Sequence, residues 1–117
     1  MENSKEMIAQ TIKKLGIPAH LLGYDYIRYG VEIMLEQGHL KKSITKYLYP
    51  KIAKKFGTTS SRVERDIRNA VEIGFVRCDK KFMENMFCVS LDYKPTNAEF
   101  IATVADYVSL KIECEEA

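Results

Sequence analysis

The chain has 117 residues, 46% of them apolar and 29% charged, with a formal net charge of +2. That length suits one domain spanning residues 1–117 with a self-sufficient core, and that composition excludes a disordered chain. No apolar run nears the roughly 18 residues of a membrane span, and the opening MENSKEMIAQ lacks the basic-then-apolar pattern of a secretion signal, so a cytoplasmic location and no membrane contact are expected. The small net charge hides a segregation. Residues 41–80 hold eleven Lys or Arg against four Asp or Glu, whereas both flanking blocks are net negative. Such a basic middle draws a polyanion to one part of a molecule, although lysines also serve simply to solvate helix faces. Cys78, Cys88 and Cys114 are odd in number and lack CxxC spacing. With His20 and His39 they match no zinc pattern, so free thiols, no metal and no cofactor are expected.

Asn3 or Ser4 is placed to cap a first helix that runs to about Leu15, with Ile8, Ile12 and Leu15 on one stripe and Gly16-Ile17-Pro18 as a turn. A second helix is predicted from Ala19 to Gln37, with Tyr24, Ile27, Val31, Met34 and Leu35 at helical period. Gly23 and Gly30 inside it each cost about 1 kcal/mol relative to Ala, which points to close helix contacts. GYDYIRYG has the wrong spacing for a phosphate loop, and its tyrosines read as core aromatics.

Residues 40–56 read as a helical support. Ile44, Leu48, Ile52 and Phe56 recur every four residues, while Lys46, Lys51, Lys54 and Lys55 point away. Pro50 predicts a break: a short helix to about Leu48, then a kink or fresh start. Gly57 to Ser60 forms a turn. Next comes a helix to Arg77, capped either by a Ser61–Glu64 box or by Thr59. At 100° per residue, Val63, Ile67, Ala70, Val71 and Gly74 make its buried back, and Ser61, Arg62, Arg65, Arg68, Asn69 and Glu72 its front, flanked by Glu64 and Asp66. A short helix from Asp79 to Phe87 is anchored by Phe82, Met83, Met86 and Phe87. After an irregular stretch, Thr96 and Glu99 box the start of a last helix. That helix buries Phe100, Ile101, Val104, Ala105, Val108 and Ile112, and its tail from Glu113 is expected to fray. No strand pairs, repeats or linkers are evident.

A support helix, a short turn and a polar-faced helix with three front arginines is the sequence form of a helix-turn-helix. The major groove admits one α-helix. There Arg bonds guanine, Asn bonds adenine and Glu accepts from cytosine, which makes Glu64, Arg65 and Asn69 candidate base readers. Thr58, Thr59 and Ser61 at the helix start suit phosphate, as do Arg62 and Arg68, and Lys46, Lys54 and Lys55 add sequence-independent attraction. The competing reading is a solvated helix whose arginines pair with Glu64, Asp66 and Glu72.

The segments ITKYLYPKIAKKFGTTSSRVERDIRNAVEIGFVR, LLGYDYIRYGVEIM and KPTNAEFIATVADYVSLKIE resemble the DNA-binding effector domain of the master sporulation response regulator of endospore-forming Firmicutes. The resemblance spans about Ile8 to Glu113. It implies an all-α, compact bundle of about six helices containing a helix-turn-helix. It also implies recognition of TGTCGAA-like boxes in double-stranded DNA, often by two domains placed head to tail. By the same resemblance Glu64 and Arg65 match the base-reading pair, Arg62 and Arg68 match arginines on phosphate or base edges, and Thr59 and Ser61 match the helix start. Asn69 stands where the family has histidine, and Asp66 where it has a small apolar residue. Phe75-Val76-Arg77-Cys78 and Phe87-Cys88-Val89-Ser90 replace family motifs in the region that contacts RNA polymerase sigma factor. Family members carry a phosphoacceptor receiver domain ahead of this one, and the 117 residues contain no counterpart of it.

Two functions follow. One is a sequence-specific transcription regulator. The other is an interaction module, impaired in DNA binding, that modulates a full-length homologue. No nucleophile–base pair or paired carboxylates suggest an enzyme.

Overall fold

The helical periodicities become six helices: α1 (Glu2–Lys14), α2 (Leu22–Glu36), α3 (Ile44–Phe56), α4 (Ser60–Arg77), α5 (Lys80–Phe87) and α6 (Asn97–Glu116). The computed structural model describes residues 2–37, 44–88, 90 and 92–116, and no strand occurs among them. The predicted support positions 40–43 lie outside the described residues.

Helix α2 is the axle of the bundle. It packs against α1, α3, α4 and α6, so its buried positions spread over about half of its circumference: Tyr24, Tyr26, Ile27, Val31, Ile33 and Met34 are all in the core. A helix covered on several sides needs apolar residues beyond one stripe. It starts three residues later than expected. Pro18, Ala19, His20 and Leu21 close a turn in which the Leu21 N–H bonds the Pro18 carbonyl at 3.3 Å, and Leu21 itself is extended. At the N-terminus α1 begins at Glu2, ahead of both expected caps. Asn3 and Ser4 instead lie within its first turn. Ile8, Ile12 and Leu15 are fully buried as predicted.

The fresh start expected at Pro50 does not occur. α3 runs unbroken through Pro50. Proline removes one N–H, and the carbonyl that would receive it belongs to Lys46. Both Lys46 and Pro50 are exposed, so water can serve that carbonyl and the helix continues. Below the proline, Leu48 and Ile52 are fully buried, and Tyr49 and Ala53 pack beside them. Phe56 is 40% exposed rather than a core anchor. A four-residue step advances about 40° beyond a full turn, so the stripe drifts off the core face. Phe56 ends edge-on against Tyr26 and Tyr29, at centroid distances of 5.1 and 6.0 Å.

The close contact foreseen from glycine appears at Gly23, between α2 and α4, but not at Gly30, where a Cβ would come no nearer than 3.4 Å to Ile52 Cδ1. A Cβ on Gly23 would lie 2.7 Å from the Ala70 Cβ and would also collide with the Asp66 carbonyl. At the far end of α4, a Cβ on Gly74 would meet the Leu15 carbonyl and Ile17 Cγ1 at 2.8 Å each. α5 is capped by Asp79, whose carboxylate accepts the Lys81 and Phe82 N–H groups. Phe82 and Phe87 lie against Tyr107 and Phe100 of α6. The Thr96–Glu99 box forms in both directions: Glu99 accepts from the Thr96 N–H at 2.9 Å, and the Thr96 hydroxyl accepts from the Glu99 N–H at 3.1 Å. Phe100, Ile101, Val104, Ala105 and Val108 are buried, and Ile112 packs against the core. The helix continues past Glu113, where fraying is expected, to Glu116, and Ala117 lies outside the described residues.

Gly23→Ala is expected to destabilise the fold by about 1–3 kcal/mol, because the added methyl meets backbone on one side and Ala70 on the other. A shift in the urea midpoint at unchanged m-value checks it.

Candidate nucleic-acid interface

The turn between α3 and α4 is only three residues long, and each has a task. Gly57 takes a left-handed φ of 67°, which ends α3. The Thr58 N–H then bonds the Ala53 carbonyl at 2.9 Å, a Schellman-type closure. Thr59 is the N-cap of α4. Its hydroxyl accepts from the Arg62 N–H at 3.2 Å, and its carbonyl accepts from the Val63 N–H at 3.0 Å. The alternative Ser61–Glu64 box does not form. Ser61 already lies inside the helix, where an N-cap's extended backbone is excluded, and the Glu64 carboxylate is turned toward Arg68.

The amphipathic division of α4 is complete. Val63, Ile67, Ala70, Val71 and Gly74 are buried, while Ser61, Arg62, Arg65, Arg68, Asn69 and Glu72 are all exposed. Helical spacing puts those six within about a third of the circumference. Glu64 and Asp66 border that strip and are half-buried. Thr58 is half-buried at the turn, and Thr59 is exposed beside it. On α3, Lys46, Lys54 and Lys55 are exposed. Lys55 leans back so that its ammonium lies 5.6 Å from the centre of the Tyr29 ring. One element, the turn with α4, therefore gathers Thr58 through Asn69, and α3 supplies the lysines.

Three ion pairs decorate the front. One Arg68 guanidinium nitrogen sits between both Glu64 carboxylate oxygens, at 2.8 and 2.6 Å. Arg65 Nε lies 3.6 Å from Asp66 Oδ1. Glu72 accepts from Lys94 at 2.9 Å, and that hydrogen bond and charge hold its carboxyl below the usual range. Two carboxylates thus occupy two of the front arginines. These pairs are solvent-exposed, and such pairs contribute little net stability. A phosphate or a base edge can replace them.

Behind the strip, the charges reach the core. The buried Tyr26 hydroxyl has its pKa raised, first by burial and then by the negative charges of Asp66 and Asp25, with Arg62 opposing. A side-chain bridge from a distant part of the chain also meets α4. Asn97 Nδ2 donates to the Glu64 carbonyl at 3.1 Å and to the Tyr49 hydroxyl at 3.0 Å. Around it, Tyr49, Arg68, Lys94 and Thr96 help line an open cleft of about 480 Å³ between the start of α6 and the front of α4. Tyr49, Lys94 and Asn97 are absent from the sequence-derived site. The Thr96–Glu99 box pointed to the neighbourhood, but nothing in linear spacing links Asn97 to positions 33 and 48 residues away.

The sequence model described as "Sporulation initiation factor Spo0A C terminal" aligns with residues 8–108.

Two outcomes are expected from the cap and the buried phenol. Thr59→Ala should cost about 1 kcal/mol in denaturant unfolding by stripping the α4 cap. The Tyr26 hydroxyl, with a folded pKa above its ordinary 10.0, favours folding in its neutral form. Its contribution is whole below pH 10 and is lost as pH rises through the folded pKa. Thermal melts should therefore fall less steeply above pH 10 in Tyr26→Phe than in the parent chain.

Proposed function

The chain belongs to the sporulation initiation factor Spo0A C-terminal family, a family of DNA-binding transcription regulators, and from that premise we propose that it reads a TGTCGAA-like box in the major groove with α4. The observation that carries this reading is the complete division of α4: an apolar back sealed in the core and a solvent-exposed front of Arg62, Arg65, Arg68 and Asn69, whose restraints among the described residues are exposed ion pairs that a duplex can replace. In this reading Glu64, Arg65 and Asn69 contact base edges. Arg62, Arg68, Thr58, Thr59, Ser61 and the lysines of α3 hold phosphates. Asn69 in place of the family's histidine shifts preference toward adenine at one position. Head-to-tail pairs on adjacent boxes, contact with RNA polymerase sigma factor through the surface after α4, and action in the cytoplasm where the DNA lies complete the proposal. No helix among the described residues is long and apolar enough to cross a membrane.

A second reading is favoured by the Arg65–Asp66 and Arg68–Glu64 pairs: an interaction module weak on DNA that acts by pairing with a full-length homologue. Nuclease-resistant co-purification with that homologue, unaffected by Arg65→Ala, would support it. No association at micromolar concentration would remove it.

Selection of bound sequences from a random duplex pool at near-physiological salt tests the first reading directly. On the selected box, Arg65→Ala should lose about 1–3 kcal/mol of discrimination against scrambled duplex. Lys54→Ala should weaken both duplexes alike and reduce the salt slope by about 1. Asp66→Ala should tighten both. A chain that binds its best selected duplex no better than a scrambled one is not a sequence reader.

A further inference from the structure

We propose that Asn97 is a positioning residue for DNA recognition, fixing the backbone of the base-reading turn of α4 against α3 through its side-chain amide. This rests on the DNA-reading function proposed above. The Asn97 amide has two N–H bonds to give, and it gives them to two different helices: one to the Tyr49 hydroxyl of α3 at 3.0 Å, one to the Glu64 main-chain carbonyl of α4 at 3.1 Å. Glu64 is itself one of the residues placed on base edges. Its carbonyl has two lone pairs, so it can serve the helix ladder and Asn97 together.

The amide is not occupied in capping its own helix. Thr96 does that, in the reciprocal box with Glu99. Asn97 is the first residue of α6, and the next turn is nailed down by Phe100 and Ile101, both fully buried. Its side chain therefore projects from a fixed base. The Tyr49 side that receives it is equally fixed, at 6% exposure. A second contact comes from the same segment, where Lys94 meets Glu72 at 2.9 Å. Glu64 and Glu72 are eight residues apart, about 12 Å along the helix. Two contacts at that separation restrain the tilt of α4 as well as its distance, and tilt decides which side chains reach a base edge.

The test compares Asn97→Ala, Asn97→Asp and Tyr49→Phe with the parent chain. Asp keeps a residue suited to a helix N-terminus but has no amide to donate. Tyr49→Phe removes the α3 arm and leaves the α4 arm. Affinities for the selected box and for scrambled duplex are measured alongside urea unfolding. The ratio of the two affinities is expected to drop roughly three- to tenfold in Asn97→Ala and Asn97→Asp, and less in Tyr49→Phe, with scrambled-duplex affinity unchanged in the two variants that add no charge and lowered by the new carboxylate in Asn97→Asp. A loss of stability alone would leave that ratio intact in the folded protein, and an unchanged ratio in folded Asn97→Asp overturns the proposal. If the parent chain itself prefers no duplex, the function reading fails by itself and amide hydrogen exchange decides the tie. Exchange across residues 64–72 is expected to quicken roughly tenfold in Asn97→Asp while α1 is unchanged, and unchanged exchange across residues 64–72 overturns the tie.

Discussion

The close approach of α4 to α2 governs the rest of the structure. A helix whose front is left to solvent must be held chiefly by its back, and the back of α4 is narrow: Val63, Ile67, Ala70, Val71 and Gly74. Small residues let backbones come close, and here they sit on both helices. Gly23 of α2 leaves room for Ala70 and the Asp66 carbonyl, and Gly74 of α4 leaves room for Leu15 and Ile17. Gly23 acts at the middle of α4 and Gly74 near its C-terminal end, so the helix is seated on two neighbours, α2 and the turn after α1. Each glycine carries an intrinsic helix penalty of roughly 1 kcal/mol, and the dense contacts at fully buried Ile67 and Ala70 offset it.

The support helix solves a related problem with proline. α3 must meet the core through Leu48, Tyr49, Ile52 and Ala53 and then stop abruptly enough for a three-residue turn. Pro50 stands on its exposed side, where a missing N–H is tolerated. The stop is made by Gly57 and the Thr58–Ala53 bond. Phe56, pushed off the core face by helical drift, becomes the aromatic contact with Tyr26 and Tyr29 that ties this end of α3 to α2.

What the sequence made legible follows from the range of the forces involved. The two faces of α4, the stripes of α1 and α6 and the Thr96–Glu99 box depend on residues within a few positions of one another, and periodicity reads them directly. Choices between near-equal local options were not legible. Ser61 with Glu64 and Thr59 alone are both sound caps, and the side that wins is set by where α3 ends. Pro50 signals a break unless the exposure of Lys46 is known. Asn97 was the least visible, because an Asn beside a capping threonine is accounted for locally, while its two acceptors arrive only when α3, α4 and α6 are assembled. Each candidate DNA-contacting residue on α4 came from a local pattern. The link that holds them at one angle came from tertiary structure.

The front of α4 combines four signals that compete for the same groups. Arg68 is held by Glu64, Arg65 by Asp66, and Glu72 by Lys94, whereas Arg62 is exposed at the helix start beside the Thr59 cap. In water these pairs are weak, since solvent screens them and long side chains lose freedom on pairing. Against a duplex the balance changes: phosphates concentrate negative charge, released counterions add entropy, and arginine makes paired bonds to guanine that an adjacent carboxylate cannot match. The carboxylates then differ in what they do once their arginine leaves. In the proposed reading Glu64, freed from Arg68, accepts from a cytosine amino group, so the exchange gains a base contact. Asp66 is half-buried at the edge of the strip, near the Tyr26 hydroxyl whose pKa it helps raise, and freed from Arg65 it gains no such partner. In the proposed reading the same kind of ion pair favours selectivity at Glu64 and opposes binding at Asp66, and the places of the two carboxylates on α4, rather than their charge, decide which.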